Sequence, residues 1–306
     1  MSEYELGRRG CVFTVPHRYV MAVLLMGVFL VAMGGGRSSF ALVMAHVTSG
    51  QEAKAENALF PQCTTLNTTQ DLHVVMSGDK VFLLHAVFYS GFTLTRLPGA
   101  LLSTWLSPTR VLGTCVLLIS ASVLSLPLVL PLNNTPLLFA LRFFQGGLEG
   151  VYQPVVDGLV AAWSTPEEQS RLVTIVYTGL FLAPALALVV AGTTLCYVSW
   201  DTPFYTYGLA GIVLSAVWFK YAYDTPDQHP GLSHAERVHH KNHGMAVRQS
   251  SKKVFQSIPW RCIMTSFPVW AFVIASFCKT AVLTTLIMAE PQYFLDAYHM
   301  NSADVS

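Results

Sequence analysis

Four basic side chains, Arg37, Arg96, Arg142 and Lys279, stand inside long apolar runs, and the acids Glu149 and Asp157 and the imidazole of His85 stand in the same runs. A charge near the centre of a hydrophobic helix costs about 2.5–3.5 kcal/mol on insertion scales, so it ordinarily faces a bundle interior or an aqueous cavity and has a partner. Arg142, Gly146, Glu149 and Gln153 follow at spacings of four, three and four, which lines them along one helical face. Such a stripe, with Gly146 and Gly147 letting a second backbone come close, suits a helix beside a translocation path; an internal ion pair that only fixes packing is the alternative. Arg37 follows Gly34, Gly35 and Gly36. Those glycines weaken the helix locally and permit unwinding or close approach, so the guanidinium could offer a planar donor fork to a carboxylate or phosphate. Snorkelling to the far interface is the other reading of Arg37.

The elements that must position these groups are membrane helices. Apolar residues make up 53% of the chain and charged residues 11%, and the mean hydropathy is +0.48, too little charge to cover a soluble globule. A helix needs about 20 mainly apolar residues to cross about 30 Å of hydrocarbon. Seven runs qualify, at 19–47, 81–106, 111–132, 136–163, 172–198, 203–223 and 268–289. Long continuous runs without strict alternation predict helices and not a barrel. Arg8, Arg9 and Arg18 ahead of the first run also resemble a signal peptide, but the apolar pattern resumes at 38–47, as a long glycine-softened helix requires.

Lys and Arg set the orientation. With the N-terminus in the cytosol, Arg8, Arg9, Arg18, Arg110, Arg171, Lys220, Arg237, Lys241, Arg248, Lys252, Lys253 and Arg261 are cytosolic, and Lys54 and Lys80 lie in opposite loops. The acceptor motifs at Asn67 and Asn133 then fall on the outer or lumenal side, with Asn67 the better glycosylation candidate because Asn133 adjoins the membrane. In this frame Arg96 lies near the cytosolic end of its span and reads as a snorkelling residue, while Lys279 sits mid-span. His85 begins the second span on the outer side, either to titrate together with Glu149 or as an interfacial imidazole bonded to a carbonyl. Asp157 caps or pairs near the cytosolic end, and Glu290 with Pro291 marks a helix end.

Other functional classes find little support. A net charge of +1 gives no basic excess for nucleic acid. The six cysteines lack CxxC spacing and read as packing residues. The polar stretch after Asp224, with His229, His234, His239, His240 and His243, reads as a solvated cytosolic linker and not a metal site. No nucleophile triad, P-loop or dinucleotide fingerprint stands in a workable context, so an enzyme is not expected.

Four stretches carry a family resemblance: 141–154 (LRFFQGGLEGVYQP), 163–172 (WSTPEEQSRL), 223–237 (YDTPDQHPGLSHAER) and 259–294 (PWRCIMTSFPVWAFVIASFCKTAVLTTLIMAEPQYF). The chain resembles the anion–cation symporter family of the major facilitator superfamily, which contains vesicular glutamate transporters, sialin and type I sodium–phosphate cotransporters, and it resembles the glutamate-transporter branch in particular. The resemblance implies functional roles for Arg37, His85, Arg142 and Glu149. It departs at Lys279, where the family has arginine, so the charge is kept and the bidentate fork is lost. It also departs at 98–110, which keeps Gly99 and Arg110 but not the family's Asp-Arg pair.

The expected fold class is therefore all-α, a polytopic membrane bundle with about seven of the twelve helices that the family's two six-helix halves imply. The expected parts are a cytosolic N-terminus at 1–18, a six-helix bundle at 19–223, a cytosolic linker at 224–262 and the first helix of an incomplete second bundle at 263–306, either of a fragment or of a truncated product. The expected function is secondary active transport of a small organic anion, glutamate-like or another carboxylate, or phosphate. Arg37, Arg142 and Lys279 would bind substrate, Glu149 and His85 would couple it to H+ or Na+, with Cl- a further candidate ion, and no cofactor is implied. The full-length protein is expected to act as a monomer in an intracellular vesicle, lysosomal or plasma membrane. A truncated non-transporting membrane partner and a seven-helix receptor are the competing readings.

Overall fold

The structure is a computed structural model that describes residues 16–52, 78–132, 134–230 and 260–298. The first span is a long rod built from α1 (His17–Met33), a π-helical turn (Gly34–Ser38) and α2 (Ser39–Glu52). It is followed by α3 (Gly78–Trp105), α4 (Pro108–Val129) with a 3-10 turn at Leu130–Leu132, α5 (Thr135–Trp163), α6 (Gln169–Tyr197) and α7 (Thr202–Tyr221). After a short 3-10 turn at Pro226–Gln228 come α8 (Trp260–Thr265) and α9 (Phe267–Tyr298). No strand occurs among the described residues, so the expected all-α architecture is what forms.

Among the described residues, five helices are long and apolar enough to cross a membrane: His17–Ala45, Pro108–Leu132, Gln169–Leu195, Thr202–Tyr221 and Phe267–Leu286. The runs expected at 81–106 and 136–163 are helices of 28 and 29 residues, α3 and α5, but they are not among those five. These two carry His85, Arg96, Arg142, Glu149 and Asp157, and they pack against each other. Their lower apolarity is what a polar interior demands of the helices that line it.

Prolines mark where helices start. α4, α5 and α7 each have proline in the first turn, where the missing N–H has no intrahelical partner to lose. Asn134 caps α5 by accepting from Leu137 N at 3.3 Å. Glu290 and Pro291 do not end a helix as the sequence suggested, because α9 continues to Tyr298. Pro98, Pro127, Pro154 and Pro184 likewise sit inside α3, α4, α5 and α6. Membrane helices tolerate proline because neighbouring groups re-satisfy the freed backbone.

α3 and α5 meet backbone to backbone. A Cβ on Gly146 would lie 2.0 Å from Phe88 O, and one on Gly150 would lie 2.2 Å from Phe92 O. From the other side, a Cβ on Gly91 would lie 2.4 Å from Phe143 O. Thr95 Oγ1 donates across this seam to Gly147 O at 2.7 Å. Around the seam α4 packs on α5 and α7, and α1 on α6, while α9 reaches the bundle through α2. Large apolar side chains such as Phe82, Leu97, Val213 and Phe272 point outward, an arrangement that fits a bilayer and not water as solvent.

At the end of the bundle where α1 starts, the chain after α7 ties helix ends together. Asp224 Oδ1 accepts from Ser107 Oγ at 2.8 Å, Thr109 N at 2.9 Å and Thr109 Oγ1 at 2.7 Å, which caps α4. Trp163 Nε1 at the end of α5 donates to Tyr223 O at 3.0 Å, and the His229 ring packs among those of His17, Trp163 and Tyr223.

Candidate functional site

The first span carries its arginine on the π-helical turn. Ser39 N reaches back five residues to Gly34 O, and the three glycines inside the turn each admit a close neighbour. Gly34 and Gly35 lie against the ring of Tyr207, and a Cβ on Gly36 would stand 2.7 Å from both Gln145 Nε2 and Glu149 Oε1. π-turns of this kind are frequent at functional sites, because the extra residue re-aims the side chains around it.

Arg37, Arg142 and Glu149 converge at this turn. Arg37 Nε donates to Glu149 Oε2 at 2.7 Å, a buried ion pair between residues 112 positions apart. Arg142 is fully buried, and its Nη1 donates to Gly36 O and to Gln145 Oε1, each at 2.8 Å. The Arg142 guanidinium carbon lies 3.6 Å from the Phe40 ring centroid and 4.8 Å from that of Phe88. Arg37 lies over Phe88, Tyr89 and Phe92 at 5.3, 5.4 and 4.7 Å. Such cation–π contacts hold a guanidinium in a dry interior without neutralising it.

The centre holds two guanidinium groups and one carboxylate. Arg142 Nε and Nη2, Gln145 Nε2 and Glu149 Oε1 are buried and have no hydrogen-bond partner among the described residues. Buried donors ordinarily find acceptors, so three donor atoms left open beside an excess positive charge have the chemistry that would accept an anion.

The remaining expected residues are distributed differently. His85 packs edge-on to Phe40 at 5.6 Å, which places it on the ring that also carries Arg142, and its buried Nδ1 has no hydrogen-bond partner among the described residues. Lys279 is not brought to the Arg37–Arg142 centre: it is exposed on α9, with Nζ 5.7 Å from the Phe181 ring of α6. Arg96 is exposed and stacks on Phe92 at 5.4 Å, and Asp157, also exposed, accepts a hydrogen bond from Tyr177 Oη. Gln153 is half-buried. Asn67 and Asn133 lie outside the described residues, as do the linker histidines His234, His239, His240 and His243.

Sequence reasoning overlooked Gln145, Phe40, Phe88 and Phe92. Periodicity carried a signal for three of them: Gln145 is three residues after Arg142, and Phe88 and Phe92 are three and seven after His85, on the same faces. Phe40 had none, because its position depends on how the π turn rotates α2.

The family signature of the Major Facilitator Superfamily matches residues 24–306. The chain belongs to this superfamily. Within it, similar curated relatives are vesicular glutamate transporter 3 of Danio rerio, 29% identical over 292 residues, and vesicular glutamate transporter 2 of Homo sapiens, 26% identical over 287 residues. These alignments cover 94% of this chain and 47% and 48% of the two relatives, so the chain spans about half the length of the curated relatives it matches. A superfamily fold also appears among solved structures. A bacterial homolog of the human lysosomal transporter Spinster, in an inward-facing and unoccupied conformation, aligns with a TM-score of 0.57 and 12% identity, covering 95% of this chain and 58% of that one. Membership of the superfamily removes the basis of the seven-helix receptor reading, which rested on the number of spans.

Proposed function

We propose that the full-length protein is a secondary active transporter of small organic anions, working by alternating access, with a glutamate-like carboxylate as the first candidate substrate and phosphate as the second. The reading is supported above all by the open edge of Arg142, a fully buried cation with two unpartnered nitrogens beside an arginine already paired to Glu149. In a low-dielectric interior an uncompensated guanidinium is costly, and an entering carboxylate would supply both the missing charge and the missing acceptors. Arg142 is then the principal substrate ligand. Arg37 becomes available when Glu149 takes a proton or a coupling ion, and His85, one ring away across Phe40, is the second candidate for that coupling. Lys279 would join only if α9 moved toward the centre, as rocking of one half against the other requires. The names of the curated relatives favour glutamate, and vesicular membranes follow from the same likeness.

The test is uptake of radiolabelled glutamate, sialate and phosphate, each alone, into proteoliposomes holding the full-length protein. Arg142→Ala is expected to abolish uptake of the transported anion. Wild-type uptake by that variant would remove Arg142 from the substrate path, and absence of uptake for all three anions would reject the substrate class.

A further inference from the structure

Along α3, Phe88, Phe92 and Arg96 recur at steps of four and so share one helical face. Arg142 and Arg37 lie over Phe88, while Arg37 and Arg96 lie over Phe92. Three guanidiniums therefore alternate with two aromatic rings in a single file, and the file continues past the buried centre toward the end of the bundle where α3 stops. The facing helix repeats the direction: Glu149, Gln153 and Asp157 follow at steps of four on α5. Burial decreases along both, from Arg142 and Glu149 at full burial to Arg96 and Asp157, which are exposed.

Arg96 stands well inside α3. It precedes the end of α3 at Trp105 by nine positions, about 14 Å of helix, farther than an arginine side chain extends. It lies within electrostatic reach of Tyr152 on α5 and Tyr177 on α6. Arg37 has Glu149 as a counter-ion, but Arg96 has no ion-pair partner among the described residues. The nearby carboxylate, Asp157, is held by Tyr177 Oη.

We propose that Arg96, stacked on Phe92 beside the Tyr177–Asp157 pair, forms a second anion station, which takes the carboxylate of a small organic anion between the Arg37–Arg142 centre and the end of the bundle bearing His17. The station rests on the transport reading above. The guanidinium fork suits a carboxylate, Phe92 fixes its plane, and Asp157 opposes long residence, as a transit site needs binding strong enough to enter and weak enough to leave.

Glutamate is the probe, and the full-length protein in liposomes is the sample. Arg96→Gln is expected to lower the initial rate of radiolabelled glutamate uptake about tenfold, and Arg96→Lys to recover only part of it, since the charge is removed in the first and kept without the fork and the stacked plane in the second. Separately, Arg96→Cys is expected to react at position 96 with a membrane-impermeant anionic thiosulfonate, located by peptide mass, and to react more slowly when glutamate is present. Wild-type uptake by Arg96→Gln would overturn the station; if Arg142→Ala abolishes uptake in the same assay, the central site stands although the station falls. If the wild-type protein takes up no glutamate, the labelling decides: absence of reaction at position 96, or reaction indifferent to glutamate, also overturns the station.

Discussion

Glu149 is the carboxylate set between Arg37 and the edge of Arg142, so its removal leaves two buried cations without an anion. Truncating one partner of a buried pair costs about 3–5 kcal/mol, while replacing both with apolar groups of similar volume is often close to neutral. Glu149→Gln is therefore expected to lower the melting midpoint of the purified protein strongly. The double change Arg37→Met with Glu149→Leu is expected to restore much of that loss yet remain inactive. Equal melting of the single and double variants would show that the pair carries no coupling. Gly36→Ala makes a sharper demand on geometry, because its Cβ would meet Gln145 and Glu149 at 2.7 Å. Overpacking of this order costs about 1–3 kcal/mol, and it displaces both side chains that frame the open edge of Arg142. Uptake is expected to fall much further than stability, and a variant that transports normally would mean the Gly36 contact is not needed by the site.

At the scale of elements, the seam between α3 and α5 holds Phe88 and Phe92 against Arg37 and Arg142, and it exists only because its glycines have no side chains. Gly146→Ala would drive a Cβ to 2.0 Å from Phe88 O, whereas a Cβ on Gly158, also on α5, would meet nothing within 4 Å. Gly146→Ala is expected to destabilise the protein by about 1–3 kcal/mol. Gly158→Ala should instead stabilise it by up to about 1 kcal/mol through helix propensity. Thermal melts of the two variants side by side check the seam, and similar shifts for both would deny it. The stripe of Arg142, Glu149 and Gln153 was readable from the sequence because helical periodicity is local. The rotation of α2, which sets Phe40 over Arg142, was not readable, since it depends on the π turn at Gly34–Ser38.

Over the whole molecule, the residues that follow α7 join the ends of separate helices. Asp224→Ala removes the shared acceptor of Ser107 Oγ, Thr109 N and Thr109 Oγ1, and is expected to cost about 1–3 kcal/mol while leaving the Arg37–Glu149–Arg142 cluster intact, which a melt and a glutamate uptake assay together would show. The sequence by itself determined that the solvent is a bilayer, that the elements are helices, and that Arg37, Arg142 and Glu149 are charges in apolar runs that call for a partner, a cavity or an interface. Hydropathy and local spacing suffice for this, because each span satisfies its own backbone and each buried charge demands a partner. Only the tertiary structure decided which partner each charge took. It paired Arg37 with Glu149, left the edge of Arg142 open, and set Lys279 on Phe181 outside the centre. Those choices depend on how helices rotate against one another, and the stretch 267–289 of α9, where Lys279 is the one charged side chain, carries no periodic signal that fixes its rotation.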